Sequence, residues 1–421
     1  MMDLIIRQAK IKDVLVDIGV EHGRIITIVP SLKASALQEI DAHGNLLSPP
    51  FVDPHLHLDA VLTAGEPDWN HSGTLLEGIA LWNRRKSALS YDDVKMRAKK
   101  AVLWEVVQGV QHIRTHVDVC DPNLTALHAL VDLREEIKEI ADIQIVAFPQ
   151  EGIPSYPNGR ELMTEAIEQG CDVVGGIPHY EITREYGLES LDFAFALARK
   201  YDKLIDIHCD ETDDEQSRFI EHMAALTLEK DFQGRVTASH TTAMHSYNNA
   251  YAFKLIGWLK KAELNLITNP LDNIVLQGRF DTYPKRRGLT RVKELNEAGL
   301  TVAIGHDSIM DPWYQLGKGS MLMAASMLLH VTQMTGRQQM LDVFKMITSS
   351  SAKVMNIPNY EISEGHPANF IILNASDPIE ALRLEAECLY SIRFGKVIAT
   401  SRPVEQHVVL GGKTETIRLV K

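Results

Sequence analysis

The chain has 421 residues, 45% of them hydrophobic and 24% charged, with a formal net charge of −13. That length and apolar share allow a large buried core, while the acidic balance argues against nucleic acid as a partner, because a phosphate backbone calls for a basic surface. The four cysteines form no CxxC pair, a scatter expected of reduced thiols in a cytoplasmic protein.

The first residues, Met1 to Arg7, lack the long apolar core of a signal peptide, and no apolar run reaches the length of a membrane span. A cytoplasmic location with no membrane partner is therefore expected. Residues 1–49 read as short strands and turns: Leu4-Ile5-Ile6 and Val14 to Ile18 are strand-like, and Glu21-His22-Gly23-Arg24 is a tight turn before Ile25-Ile26-Thr27-Ile28. From about residue 50 the pattern becomes strand, loop, helix, repeated. Strands are predicted at 51–57, 110–117, 143–149, 172–177, 203–209, 235–240, 264–268 and 301–306, with amphipathic helices at 92–108, 124–140, 188–201 and 244–261 among the connections. Eight such units point to an α/β fold, a (β/α)8 TIM barrel. A doubly wound open sheet is the competing layout, but no glycine-rich nucleotide fingerprint follows an early strand. Strand-like segments return at 368–373, 389–393 and 396–399, with Phe394-Gly395 as a hairpin turn. The expectation is a small β-sandwich domain built from segments 1–49 and 361–421, with a catalytic barrel over 50–360 inserted between them.

Barrel enzymes carry their chemistry at the C-terminal ends of the strands. Strand one ends in His55 and His57, two apart and so on one face. Later strands end at or run into His116, Gln150, His179, His208, His240, Asn269, and His306 with Asp307. A purely structural barrel has no reason to accumulate ionisable groups there. His55, His57, His208 and Asp307 offer three nitrogens and one oxygen, the donor set of an open catalytic metal site in which a bound water is made acidic. Glu211, just past the end of strand five, is placed to be a general acid and base, and His240 to orient the nucleophile. Asp307 could also take the water's proton. The plainer alternatives are a core histidine for His240 and a solvated carboxylate for Glu211, since Asp210, Asp213, Asp214 and Glu215 form a charge run around it. Trp313 is by default a packing residue, and His116, His179, His245 and His306 are expected to be structural or to support the ligands.

With these residues in place the chain resembles the amidohydrolase superfamily and, within it, the bacterial cytosine deaminases. The resemblance rests on Phe148-Pro149-Gln150-Glu151-Gly152, Ser155 to Gly159, Ile205 to Glu211, Thr237 to Tyr247 and Gln277 to Gly288, and covers essentially the whole chain. It implies one divalent metal ion per subunit, iron or zinc, on the residues matching His55, His57, His208 and Asp307. It implies that Glu211 carries the proton from water to the ring nitrogen and then to departing ammonia, and that His240 steadies the attacking oxygen. Gln150 would bind the carbonyl edge of the pyrimidine, and Leu75 and Trp313 would line the base pocket. The substrate would be a free nucleobase and the assembly a homo-oligomer.

One position departs from the pattern. Where the family reads His-Asp-Asp at the end of strand eight, this chain reads His306-Asp307-Ser308. By the resemblance, position 308 lies near C5 of the base. A smaller, uncharged serine would admit an apolar methyl there without desolvating a carboxylate, so 5-methylcytosine is the expected substrate beside cytosine. The rivals are deaminases of isocytosine, isoguanine or creatinine, a binuclear cyclic-amide hydrolase, for which strand four lacks the expected lysine, and a metal-dependent binding protein, which has no use for Glu211.

Overall fold

The computed structural model describes residues 1–417. Five strands come first: β1 (Met2–Ile11), β2 (Val14–Glu21), β3 (Arg24–Val29), β4 (Ala36–Asp41) and β5 (Leu46–Ser48). β1 pairs with β2 on one edge and, in parallel, with β4 and β5 on the other. The barrel follows with β6 (Phe51–Leu56), β7 (Val110–Asp118), β8 (Asp142–Phe148), β9 (Val173–Val174), β10 (Leu204–Cys209), β11 (Val236–His240), β12 (Asn265–Thr268) and β13 (Val302–Ile304). These eight strands pair in chain order, each parallel to the next. The ring closes between its first and last strands through Asp307, whose N–H donates to His55 O at 2.8 Å and whose carbonyl accepts from His57 N–H at 3.0 Å. The (β/α)8 expectation therefore holds in number, order and direction.

β14 (Phe370–Leu373), β15 (Cys388–Arg393) and β16 (Lys396–Thr400) return to the first sheet, where β14 pairs antiparallel with β5. Both ends of the chain thus share one branched eight-stranded sheet around a common apolar core that includes Ile6, Ile18, Leu47, Phe370 and Ile392. Gln111, near the start of β7, joins this sheet to the barrel, its amide donating to Ser391 Oγ and Ile392 O. A further hairpin, β17 (Gln406–Leu410) and β18 (Lys413–Ile417), was not anticipated from the sequence; it is exposed along nearly its whole length and turns at Gly411-Gly412.

Eight helices matter for the site: α1 (Leu75–Lys86), α2 (Tyr91–Val107), α3 (Thr125–Ile137), α4 (Gly159–Glu168), α5 (Arg184–Tyr201), α6 (Phe219–Glu229), α7 (Asn249–Lys261) and α8 (Pro270–Leu276). Their apolar faces bury Leu133, Phe195 and Leu259 against Ile145, Ile207 and Leu266 of the strands in one core, each fully buried side chain contributing about 1.5–3 kcal/mol. Two boundaries differ from expectation. The strand predicted at 172–177 keeps regular strand geometry only at Val173–Val174, although Asp172 N–H and Gly175 N–H still donate to Ile145 O and Ala147 O of β8 at 2.7 and 2.9 Å. The helix predicted from 244 starts at Asn249, where the Asn248 side chain accepts a hydrogen bond from Tyr251 N–H, and Thr242–Ser246 forms a separate short 3-10 turn.

Candidate active site

The C-terminal mouth of the barrel holds a pocket with about 310 Å³ of empty space, lined by residues that include His57, Leu75, Gln150, His208, Glu211, His240, Asp272, Asp307, Ser308 and Trp313. Of the residues expected to bind metal or base or to move protons, only His55 is missing from this lining; it is fully buried. His116, His179, Asn269 and His306 also lie outside the lining. His57 Nε2 faces His208 Nε2 at 3.1 Å, and both His55 Nε2 and His57 Nε2 lie 3.4 Å from Asp307 Oδ1. His240 Nδ1 is 3.3 Å from Glu211 Oε1 and 3.7 Å from Asp307 Oδ2. The aiming of two of these side chains strains the backbone. His240, the last residue of β11, and Asp307, three residues past the end of β13, sit at φ 68° and 71°, a left-handed conformation that costs a non-glycine residue about 1–2 kcal/mol.

Electrostatics separates the two acids. Burial, with Asp307 nearby, pushes the Glu211 carboxyl well above its usual range. Burial would raise Asp307 too, but the facing imidazoles of His240, His55 and His57 outweigh it and hold that carboxyl well below the usual range. Desolvation, reinforced by neighbouring histidines, keeps His208 well below the ordinary imidazole pKa. The two neighbouring carboxyls are thus pushed in opposite directions, the division expected of an electrostatic ligand beside an acid–base group.

The donor set fits a divalent cation. Ligand atoms of His55, His57 and Asp307 lie within 4.8 Å of one another, as do those of His55, His208 and His240. His55 Nε2 is buried and has no hydrogen-bond partner among the described residues. Its tautomer follows from the residues behind it. Arg114 Nη1 donates to Asp206 Oδ2 at 2.8 Å, and Ser239 Oγ donates to Asp206 Oδ1 at 2.6 Å. With its one proton given to Asp206, the Ser239 oxygen can only accept from His55 Nδ1, 3.0 Å away. The His55 proton therefore sits on Nδ1 and the Nε2 lone pair faces the other ligands. A third grouping, His55, His116 and Asp206, is also close enough, but the Arg114 guanidinium already compensates Asp206 there. His116 packs against His55 with ring centroids 4.0 Å apart, and burial keeps it well below the usual imidazole pKa.

The pocket walls come from loops and helices that the strand pattern did not disclose. α1 folds over the mouth, bringing Leu75 to the rim and Trp82 against Trp313, ring centroids 6.3 Å apart. This approach requires a glycine: a Cβ on Gly78 would lie 2.4 Å from the Trp313 ring. Trp313 is thus both a packing residue and a wall. Phe148 stacks on His208 at 4.0 Å. Asn273 Nδ2 lies 3.1 Å from His240 Nδ1, and Asn269 Nδ2 lies 3.3 Å from its Nε2. On the side of Ser308 the expectation needs a correction. The pocket is not free of a carboxyl there, because Asp272 of α8 lines it and accepts a hydrogen bond from Ser308 Oγ at 2.8 Å. Burial, with Asp307 and Asp311 nearby, pushes that carboxyl well above its usual range, so it need not present a charge.

The sequence model of the amidohydrolase family matches residues 38–414. N-isopropylammelide isopropyl amidohydrolase of Pseudomonas sp. (strain ADP) is 32% identical over 405 residues, 94% of this chain and 97% of that one. The crystal structure of 5-methylcytosine deaminase from Klebsiella pneumoniae liganded with phosphonocytosine is 49% identical and superposes with a TM-score of 0.92 over 96% of this chain and 99% of that one. Its counterpart liganded with 5-fluorocytosine gives the same identity and TM-score over 96% and 98%.

Proposed function

This chain belongs to the amidohydrolase family, and from that premise we propose that it hydrolyses the exocyclic C–N bond of free cytosines, taking 5-methylcytosine in preference to cytosine itself, giving the oxo-pyrimidine and ammonia. The observation that carries the reading is the pairing, at one barrel mouth, of a buried three-histidine, one-carboxylate cluster with Glu211, a carboxyl that burial pushes well above its usual range. The 49% identity to an enzyme that carries 5-methylcytosine in its name supports the choice of ring.

His55, His57, His208 and Asp307 would hold one divalent ion, iron or zinc, which when bound supplies a Lewis acid that makes water acidic near neutral pH. Glu211 donates its proton to ring N3 as the water oxygen bonds to C4, and takes up a proton from that oxygen. It then passes this proton to the amino nitrogen as the C4–N bond breaks and ammonia departs, and regains its own from the remaining O–H as the C4=O bond forms. His240, fixed between Asn269, Asn273 and Glu211, orients the attacking oxygen. Gln150 pairs with the amide-like edge of the base, and Leu75 and Trp313 clamp its faces.

Four buried, unpaired cysteines support a reducing, cytoplasmic setting, and no helix among the described residues is long and apolar enough to cross a membrane. Exposed Phe253 and Trp258 on α7 support a homo-oligomer. The deciding experiment is an ammonia-release screen of metal-reconstituted protein against cytosine, 5-methylcytosine, isocytosine, isoguanine, creatinine and N-isopropylammelide. Turnover of the two cytosines at the top of the panel is expected; turnover confined to another ring overturns the reading.

A further inference from the structure

Asp272 has a carboxyl oxygen with nothing to bind. The side chain is 2% exposed, its Oδ2 is taken by Ser308 Oγ at 2.8 Å, and its Oδ1 is buried without a hydrogen-bond partner among the described residues. The residue lines the pocket, so a bound molecule is the natural source of that partner. A buried polar atom left unpaired carries a free-energy penalty, and a pocket that keeps one is built for a ligand that satisfies it.

Position in the barrel says which part of the ligand that is. Gln150 follows the third strand, β8, whereas Asp272 and Ser308 follow the seventh and eighth, β12 and β13, across the mouth. Under the deaminase reading, on which this inference rests, the Gln150 carboxamide pairs with the C2 carbonyl and an adjoining ring nitrogen. The ring atom opposite C2 is C5. Whatever C5 carries is therefore directed at Asp272 and Ser308. A methyl group fills that space but leaves Oδ1 unpaired. A hydroxyl is both donor and acceptor, so it pairs with Oδ1 whether or not the carboxyl holds a proton.

We infer that the pocket recognises cytosines whose C5 substituent ends in a hydroxyl, with Asp272 Oδ1 as the atom that reads it and Ser308 as the residue that holds Asp272 in place. The probe is 5-(hydroxymethyl)cytosine against 5-methylcytosine, assayed as ammonia release by the metal-loaded full chain, and the readout is the ratio of their kcat/KM values. The expected ratio favours the hydroxymethyl base by about tenfold. Asp272→Asn keeps a hydrogen-bonding oxygen and should retain a preference, while Asp272→Leu, of similar shape, should bring the ratio to one or below. A parent ratio at or below one overturns the inference, and so does a ratio unchanged in Asp272→Leu. The parent ratio alone decides the matter should the leucine variant not fold. Calorimetric binding of the same two bases gives the corresponding affinity ratio without turnover. Absence of ammonia from every cytosine would thus overturn the deaminase reading, while the affinity ratio would still decide this one.

Discussion

His57 Nε2 and His208 Nε2, 151 residues apart in the chain, face each other at 3.1 Å in the mouth of the barrel. Two imidazoles that turn their Nε2 lone pairs to a common point, as metal ligands must, repel unless something positive lies between or beside them. A divalent cation answers that need, with Asp307 supplying the balancing charge. Chelation of the protein should therefore abolish ammonia release and lower its melting temperature, since an ion that binds only the folded state stabilises it by mass action. Restoring one equivalent of iron or zinc per chain, followed by metal analysis, should recover both.

Glu211→Gln removes the group proposed to shuttle the proton and leaves the cluster's ligands in place. The kcat for ammonia release should fall by about 10²–10⁴-fold, with metal content and base affinity retained. A variant that keeps parental turnover would remove Glu211 from the mechanism.

Ser239→Ala takes away the acceptor that fixes the His55 tautomer. Ser239 does not face the substrate, so its effect should appear first in the ion. Metal affinity, measured by competition with a chromophoric chelator, should drop about 10–100-fold. Ser239→Thr, which retains the hydroxyl, should recover most of it.

Ser308→Asp would put a carboxylate where the proposed pose places C5 and set it next to Asp272, to which Ser308 donates a hydrogen bond. The preference for 5-methylcytosine over cytosine should shrink by about 1–3 kcal/mol, the usual worth of one methyl in discrimination. The ratio of the two kcat/KM values in parent and variant measures it.

His179 provides a pH dependence. Burial holds its imidazole down to about 4, against an ordinary value of 6.5. Between those two pH values the unfolded chain binds a proton that the folded chain does not. Stability therefore rises with pH across this window and is lost as pH falls through it. Denaturant titrations at pH 4.5, 5.5 and 6.5 should show that slope, and His179→Gln should lower it by close to one proton's worth, about 1.4 kcal/mol per pH unit.

Most of the site was legible because strand ends are legible. Period two places His55 with His57 on one face and Asp206 with His208 on another, and the βα repeat fixes which ends converge. Asp206 should have been found by the same alternation; only its partners Ser239 and Arg114, on other strands, give it meaning. What stayed hidden came from connections. The approach of α1 to Trp313 depends on Gly78, and nothing in local sequence tells a close-packing glycine from a tolerated one. Asp272 lies in a short helix after β12, three residues past Asn269, where the strand-end reading stopped. The terminal hairpin carried its own signal, Gly411-Gly412 between two short runs of strand character, and that turn could have been read.

The backbone of Asp307 is stitched to strand one on both sides of Leu56, so the residue proposed to supply the anionic ligand is also the clasp of the ring. During synthesis the first two histidines emerge long before that clasp exists. A growing chain thus carries no finished cage for the ion until Asp307 has left the ribosome and β13 has docked. One residue thus couples cage and ring: any change that frees the Asp307 backbone from strand one would open the cylinder and displace a carboxylate of the cluster together.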